Sequence, residues 1–490
     1  MLRILGSRKR LCDGLTRRDM LQAGASALLG ISAADFANQA TAADLGSTGR
    51  PPHFGKAKNV ILLYLYGAVS QIDTFDPKPE GPEEIRGVFS PIGTSIPGVQ
   101  LSELLPKTAR EMHRVTLIRS MTHPVPIHNV ANMVSGIEQT DVAMELNQRD
   151  PRHWPFFGSV VELLDEQAAG ANRKPTLIPS NVIVPWTQSA HAPAKRAGFF
   201  GGFLGPRYDP ASIQFQGEGT RSDSLVAKDP YCGIRSDATF NFPATSFPDG
   251  ITLDRFQRRR GLLTQLDDQR RALSQLPIGS GYQDLRQMAF ELCDSATIPS
   301  ALNLAREPQK LREQYGAHLF GQSALMGRRL IEAGSRVVTV LWDEFVENNS
   351  AWDTHVNQTR RLKNELCPGF DQAYSALIAD LDDRGMLDET LVLVFTEHGR
   401  TPKPEGNDGR NHWSGVYSIM MAGAGVGRGQ VVGASDKQGG FVKERPISPN
   451  DILHTVYHLL GIDAGRVLAD PQGKRLPIVD GGAVVREILA

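Results

Sequence analysis

The sequence predicts an α/β fold built on a doubly wound, mostly parallel sheet with helices on both faces. The stretches "NVILLYLYG" from Asn59, "SRVVTVLW" from Ser335 and "ETLVLVFT" from Glu389 are unbroken apolar runs, the pattern of strands buried on both faces. Stretches of helical period alternate with them along the chain, as βα units require. Acids and histidines gather just after the runs, and open parallel sheets collect ligands at the carboxyl ends of their strands.

Taken in order, the N-terminus sets a basic region and the pair Arg17 and Arg18 before a short apolar run, followed by the small-residue site Ala40-Thr41-Ala42. This order predicts a twin-arginine export signal over 1–43 and a periplasmic or extracellular protein. That route carries folded proteins, which suits a chain that takes up a metal before export. A Pro/Gly linker over 44–58 leads into the first strand at 59–66, and Gly67 ends it. "LSELLPKTAREMH" has helical spacing and "RVTLIRSM", 114–121, reads as the next strand, so β-α-β is the economical connection. From about 145 to 290, Pro, Gly and aromatic residues displace clean periodicity, and an insertion or cap over the sheet is expected. Within it, 251–276 reads as a helix whose charged face is solvated. Order returns at 308–334, one amphipathic helix or a pair stopped by Gly334. Strands at 336–342, 391–396 and 416–422 follow, with a helix from Cys367. A last helix has Ser448 as its N-cap. A single α/β domain over 59–490 is the expected organisation.

Composition excludes more than it assigns. A net charge of -1, from 53 Lys and Arg against 54 Asp and Glu, supplies no basic field for nucleic acid. No run beyond the signal approaches the ~20 apolar residues of a membrane span. Of four cysteines, Cys12 leaves with the signal. Cys232, Cys293 and Cys367 form neither a disulfide framework nor a C-x-x-C thiolate metal site.

Chemistry therefore falls to carboxylates and imidazoles. Asp73 and Asp76 follow the first strand, and His123 and His128 the second. Asp343, Asp353 and His355 follow the strand at 336–342, Glu397 and His398 follow 391–396, and His412 opens the run into 416–422. Asp76, ahead of Pro77, reads as a turn residue. His454 and His458 are four apart on the last helix, with no third ligand near. Glu397-His398 is the strongest pair, because charge ending a buried strand must be paired or coordinated. A set of His, Asp and Glu without thiolates suits Zn, with Mn, Fe, Ca or Mg as alternatives and one or two ions in number. A hydrolase follows from such a centre.

With "YGAVSQIDTFDPKPE", "WDTHVNQ", "TEHGRTPK", "GRNHW" and "SPNDILHTVYHLLGID" on the page, the chain resembles the DUF1501 family over about 58–483. These exported proteins are similar to sulfatases and to the alkaline phosphatase superfamily. The resemblance implies an alkaline-phosphatase-like fold and a metal site of Asp73, Asp353, His355, Glu397, His398 and His412. Asp353 and His355 resemble the superfamily's Asp/His pair, Glu397 and His398 its acid-His pair, and His412 its last His. Two departures stand out. Tyr66 and Gly67 occupy the place of the first acid, and "THPVPIHNVANMVSG" lacks the Cys or Ser and the Arg of the sulfatase segment. These departures argue against formylglycine chemistry and leave as catalytic candidates Thr122, activated by a neighbouring metal, or His128, as nucleophile, acid or ligand. The function expected is an exported, metal-dependent hydrolase of phosphate or sulfate esters, acting on a small-molecule or polysaccharide ester. The alternative is a catalytically silent binding or scaffold protein of the envelope on the same fold.

Overall fold

The computed structural model describes residues 51–490 except 138, 171–177, 244–257, 259–296, 348 and 471. The expected export signal over 1–43 lies outside the described residues, as does the expected helix over 251–276 apart from Arg258. The chain divides into an N-terminal unit, Met1–Phe54, of which residues 51–54 are described, and a unit Gly55–Ala490 that holds the sheet.

Eight strands form that sheet: β1 Asn59–Leu65, β2 Val115–Met121, β3 Asn181–Val184, β4 Ala211–Ser212, β5 Val337–Trp342, β6 Thr390–Phe395, β7 Tyr417–Ala422 and β8 Gln430–Val432. Their order is β8-β2-β7-β6-β1-β5-β3-β4. β1 lies between β5 and β6, parallel to both, with Val60 opposite Val337 on one side and Leu391 on the other. β3 runs parallel to β5 and to β4, and β8 parallel to β2. β7 alone is reversed, pairing antiparallel with β6 and β2. Every residue of β5, β6 and β7 is buried, as is all of β1 after Asn59, so both sheet faces are covered. Their Val, Leu and Ile side chains each contribute about 1.5–3 kcal/mol by leaving water, which is why the apolar runs become central strands.

The helices used below are α1 Pro106–Glu111, α2 Val130–Val134, α3 Phe157–Ala169, α4 Leu319–Glu332, α5 Cys367–Asp383 and α6 Pro449–Leu459; α1, α4, α5 and α6 follow their sequence signals, whereas α2 and α3 were not expected. The 308–334 run resolves as a pair, Gln309–Tyr315 and α4, broken at Gly316 with φ +99°. The His318 side chain accepts from Gly321 N as the α4 cap. Ser448 caps α6 in a reciprocal box with Asp451, satisfying two otherwise orphaned donors. α4 packs on β5 and against α5.

Two expectations need correction. β1 and β2 are joined through a helix but are not neighbours, because β6 and β7 lie between them. The stretch from about 145 to 290, expected as an insertion or cap, supplies β3 and β4 to the sheet itself. β3 has only four residues before Pro185, too few to display a period, although all four are buried.

Candidate metal centre

The carboxyl ends of the parallel strands share one rim, and reversal of β7 brings its amino end to the same rim. Tyr66 and Gly67 leave β1 there, and the segment from Thr122 to His128 leaves β2. Asp353 and His355 come from the loop after β5, and Glu397 and His398 from the end of β6. His412 precedes β7 and is held in place by a short antiparallel pairing of Gly399–Arg400 with His412–Trp413, in which Arg400 faces His412.

Two glycines make this convergence possible. Gly67 has φ +105°, and a Cβ there would lie 2.3 Å from the backbone nitrogen of Asp353. Tyr66 and Gly67 thus stand where an acid was expected because the 352–353 backbone passes directly over them, with Trp352 N donating to Tyr66 O at 2.9 Å. A Cβ on Gly409 would lie 1.8 Å from His355 O, so only glycine lets the loop before Arg410 close over His355.

Around Asp353 Oδ1 stand His355 Nε2 at 2.9 Å, His128 Nε2 at 3.3 Å and His412 Nε2 at 3.4 Å. His355 Nε2 and His412 Nε2 are 3.0 Å apart. The guanidinium of Arg400, fully buried, also donates to Asp353, while Ala68 O and Arg410 O anchor it at 3.0 and 3.2 Å. On the other side His128 Nδ1 lies 2.6 Å from Glu397 Oε1, which accepts from Gly67 N at 2.7 Å as well. The His398 ring stacks on that of His128 with centroids 5.0 Å apart, and its Nδ1 meets Gly399 O at 2.9 Å. Two overlapping groups, His128-Asp353-His355-His412 and His128-Glu397-His398, thus bring their donor atoms within 4.8 Å of one another.

The electrostatics are those of a cation site. Burial raises the Asp353 carboxyl, but His128, His355 and His412 outweigh it and hold the group well below the usual carboxylate range. Burial lowers His128, yet its bonds to Asp353 and Glu397 push it up to about 9. Burial, with the charges of His128, His412 and Arg400, drives His398 well below the usual imidazole range, so it is neutral at pH 7. His398 Nε2 and Glu397 Oε2 are buried with no hydrogen-bond partner, a condition that costs free energy unless something binds them. His128 Nε2 is buried without a hydrogen-bond partner as well, and with Asp353, His355 and His412 around it, and no thiolate among them, the set fits a divalent ion of borderline hardness.

Of the residues expected to bind metal, Asp353, His355, Glu397, His398 and His412 come together. Asp73 does not, and this corrects the expectation. Its carboxylate is taken by Arg410 Nε at 2.7 Å, Gln358 Nε2 at 2.8 Å and Ser70 Oγ at 2.5 Å, in a pocket where both charged partners are buried. Thr122, expected as a possible nucleophile, belongs to neither group, and its hydroxyl donates to Ser414 O at 3.3 Å. His128, the other catalytic expectation, is the residue both groups share. Asp76 is buried among Lys78, Arg119 and Ser435 rather than left in an open turn. His454 meets Gly481 O and joins no donor group among the described residues.

Sequence reasoning missed the supports. Arg400 and Arg410 stand at "GRTPK" and "GRNHW", and a buried arginine has no periodic signature. His123, grouped with His128 after the second strand, is a support as well. Its Nδ1 accepts from Val125 N, and its Nε2 lies 2.7 Å from the Glu397 carbonyl, so the end of β6 is tied to the β2 exit.

The family described as "Protein of unknown function (DUF1501)" matches residues 57–489. No curated protein matches the chain. Similar solved structures include a sulfatase from Pseudoalteromonas sp., at 12% identity over 89% of this chain and 72% of that one, with a TM-score of 0.37. A phosphonate monoester hydrolase of Agrobacterium radiobacter is 12% identical over 88% and 77%, with a TM-score of 0.37. A protein in the alkaline phosphatase superfamily from Vibrio parahaemolyticus is 10% identical over 86% and 72%, with a TM-score of 0.37. At these values the likeness says nothing of substrate or activity.

Proposed function

Because the chain belongs to the DUF1501 family and gathers imidazoles and carboxylates at one sheet rim, we propose that it is an exported, metal-dependent hydrolase of phosphate or sulfate esters. The observation that carries the reading is the convergence of His128, Asp353, His355 and His412 on one point, with Glu397 and His398 beside it. These residues would hold a divalent ion, zinc by donor type. When bound, such an ion supplies Lewis-acid polarisation of an ester oxygen. The chain's own groups do the rest. Arg400 donates to Asp353 Oδ1 and so holds that carboxylate among the imidazoles, and Glu397 holds the Nδ1 proton of His128. Gly399 O holds the Nδ1 proton of His398, which leaves Nε2 of that ring unprotonated and without a hydrogen-bond partner. Export rests on the twin arginines and the Ala40-Thr41-Ala42 site. Among the described residues no helix is long and apolar enough to cross a membrane.

A panel of phosphate monoesters, phosphate diesters and sulfate esters, assayed with added zinc or manganese, tests the reading. At least one ester class should be hydrolysed, and Asp353→Asn should lose the activity. Equal rates in both proteins remove the site from the function. A second reading, a catalytically silent scaffold, is favoured by one observation: the Thr122 hydroxyl at the nucleophile position is engaged by Ser414 O. Metal binding by a protein that cleaves none of the panel would select it.

A further inference from the structure

The metal reading leaves open which of the six groups touch the ion. The distances separate them. Of the six separations among Asp353 Oδ1, His355 Nε2, His128 Nε2 and His412 Nε2, four are 2.9, 3.0, 3.3 and 3.4 Å, and the donor atoms of the group all lie within 4.8 Å of one another. A tetrahedral zinc ion with ligands at about 2.0–2.1 Å sets its donor atoms about 3.3 Å apart. Glu397 stands differently. Its Oε1 already accepts from Gly67 N at 2.7 Å and from His128 Nδ1 at 2.6 Å. A carboxylate behind an imidazole whose other nitrogen faces the donor set fixes the tautomer and raises the basicity of that ligand.

Resting on the metal reading, we propose that Glu397 is not a metal ligand but the positioning residue that orients His128, and that one ion is held by His128, Asp353, His355 and His412. The acid-His pair that the family resemblance casts as ligands is thereby split. Its acid serves an imidazole from another strand end, and its histidine stays outside the four-donor set. Among the described acids and imidazoles of the second group, an ion on the Glu397 side would find only Glu397 Oε2 and His398 Nε2 unclaimed, because His128 Nδ1 carries the proton bound to Glu397. Asp73, the carboxylate that would complete such a site, is held by Arg410. Two donors fall short of the three protein ligands of catalytic zinc sites.

The test uses the full-length protein loaded with zinc, compared with Glu397→Gln, His128→Ala and the double variant. Elemental analysis gives stoichiometry, X-ray absorption counts imidazole ligands, and competition with a chelator gives affinity. Thermal melts check that each variant is folded. Wild type should bind one equivalent with three imidazoles. Glu397→Gln, which keeps the shape and the acceptor oxygen, should retain that equivalent and the three imidazoles while binding about 10–100-fold more weakly. In the His128→Ala background the same substitution should leave affinity unchanged, a result that loss of general structural support would not give. Two equivalents in wild type, loss of a coordinating oxygen in Glu397→Gln, or equal weakening with and without His128 would overturn the assignment while leaving the metal reading intact. Absence of any bound ion in wild type would overturn both.

Discussion

Replacing Asp73 by Asn tests whether this carboxylate serves the fold or the metal. Asp73 is 3% exposed and pairs with Arg410, which is 1% exposed, while Gln358 and Ser70 complete its coordination. Asn keeps the shape and one acceptor oxygen but leaves the Arg410 guanidinium buried without a counter-charge. Breaking one half of a buried ion pair costs about 3–5 kcal/mol. In a domain of this size each kcal/mol moves the melting temperature by roughly 1 °C, so Asp73→Asn should melt about 3–5 °C below wild type. Arg410→Met should cost a similar amount, since it strands the carboxylate instead. Asp73→Leu combined with Arg410→Met should recover most of the loss, because apolar replacement of both partners is close to neutral. Calorimetric melts together with metal analysis of each protein read both quantities. Zinc content should be the same in Asp73→Asn as in wild type. A variant that melts within ~2 °C of wild type yet has lost its ion would show that Asp73 is a ligand and that the Arg410 pairing is incidental.

Two pH dependences follow from buried groups away from the centre. Burial pushes His318 down to about 4, below its unfolded value of about 6.5, so its contribution is present above pH 6.5 and is lost as pH falls toward 4. The span corresponds to about 3 kcal/mol. His318→Asn, which keeps a capping acceptor for Gly321 N, should flatten that part of the acid limb in melts between pH 4 and 7. Burial raises Asp343 to about 7, so the native state prefers the protonated acid and stability falls as pH rises from about 4 to 7, by roughly 4 kcal/mol. Asp343→Asn mimics the protonated acid and still accepts from Ser189 N. It should melt above wild type at pH 8 and level with it at pH 4, and equal melting at both values would contradict the shift.

Much of this architecture was legible in the amino-acid order because the central strands are buried on both faces. Such strands must be continuous apolar runs, and β1, β5 and β6 stand out for that reason. The direction of β7 was not legible, since a buried run reads the same either way. β3 was missed because four residues ending at Pro185 carry no period. At the rim, the polar residues that stop each run were visible, and the strand ends assemble them. What sequence could not supply was the competition for each carboxylate. Asp73 looks like Asp353 in isolation. Only the fold shows that Arg410, hundreds of positions away, reaches the first and that three imidazoles reach the second. The role of Tyr66-Gly67 was hidden likewise, because the reason for glycine is the backbone of Asp353 crossing above it.

The most direct measurement is the divalent-metal content of the protein purified without chelator, set beside that of His412→Ala. His412 is partly exposed, so its truncation should leave the fold unchanged by circular dichroism. The expected result is close to one ion per chain in wild type and its loss on dialysis of the variant. A wild-type protein with no stoichiometric metal, or a variant that keeps as much as wild type, would contradict the account.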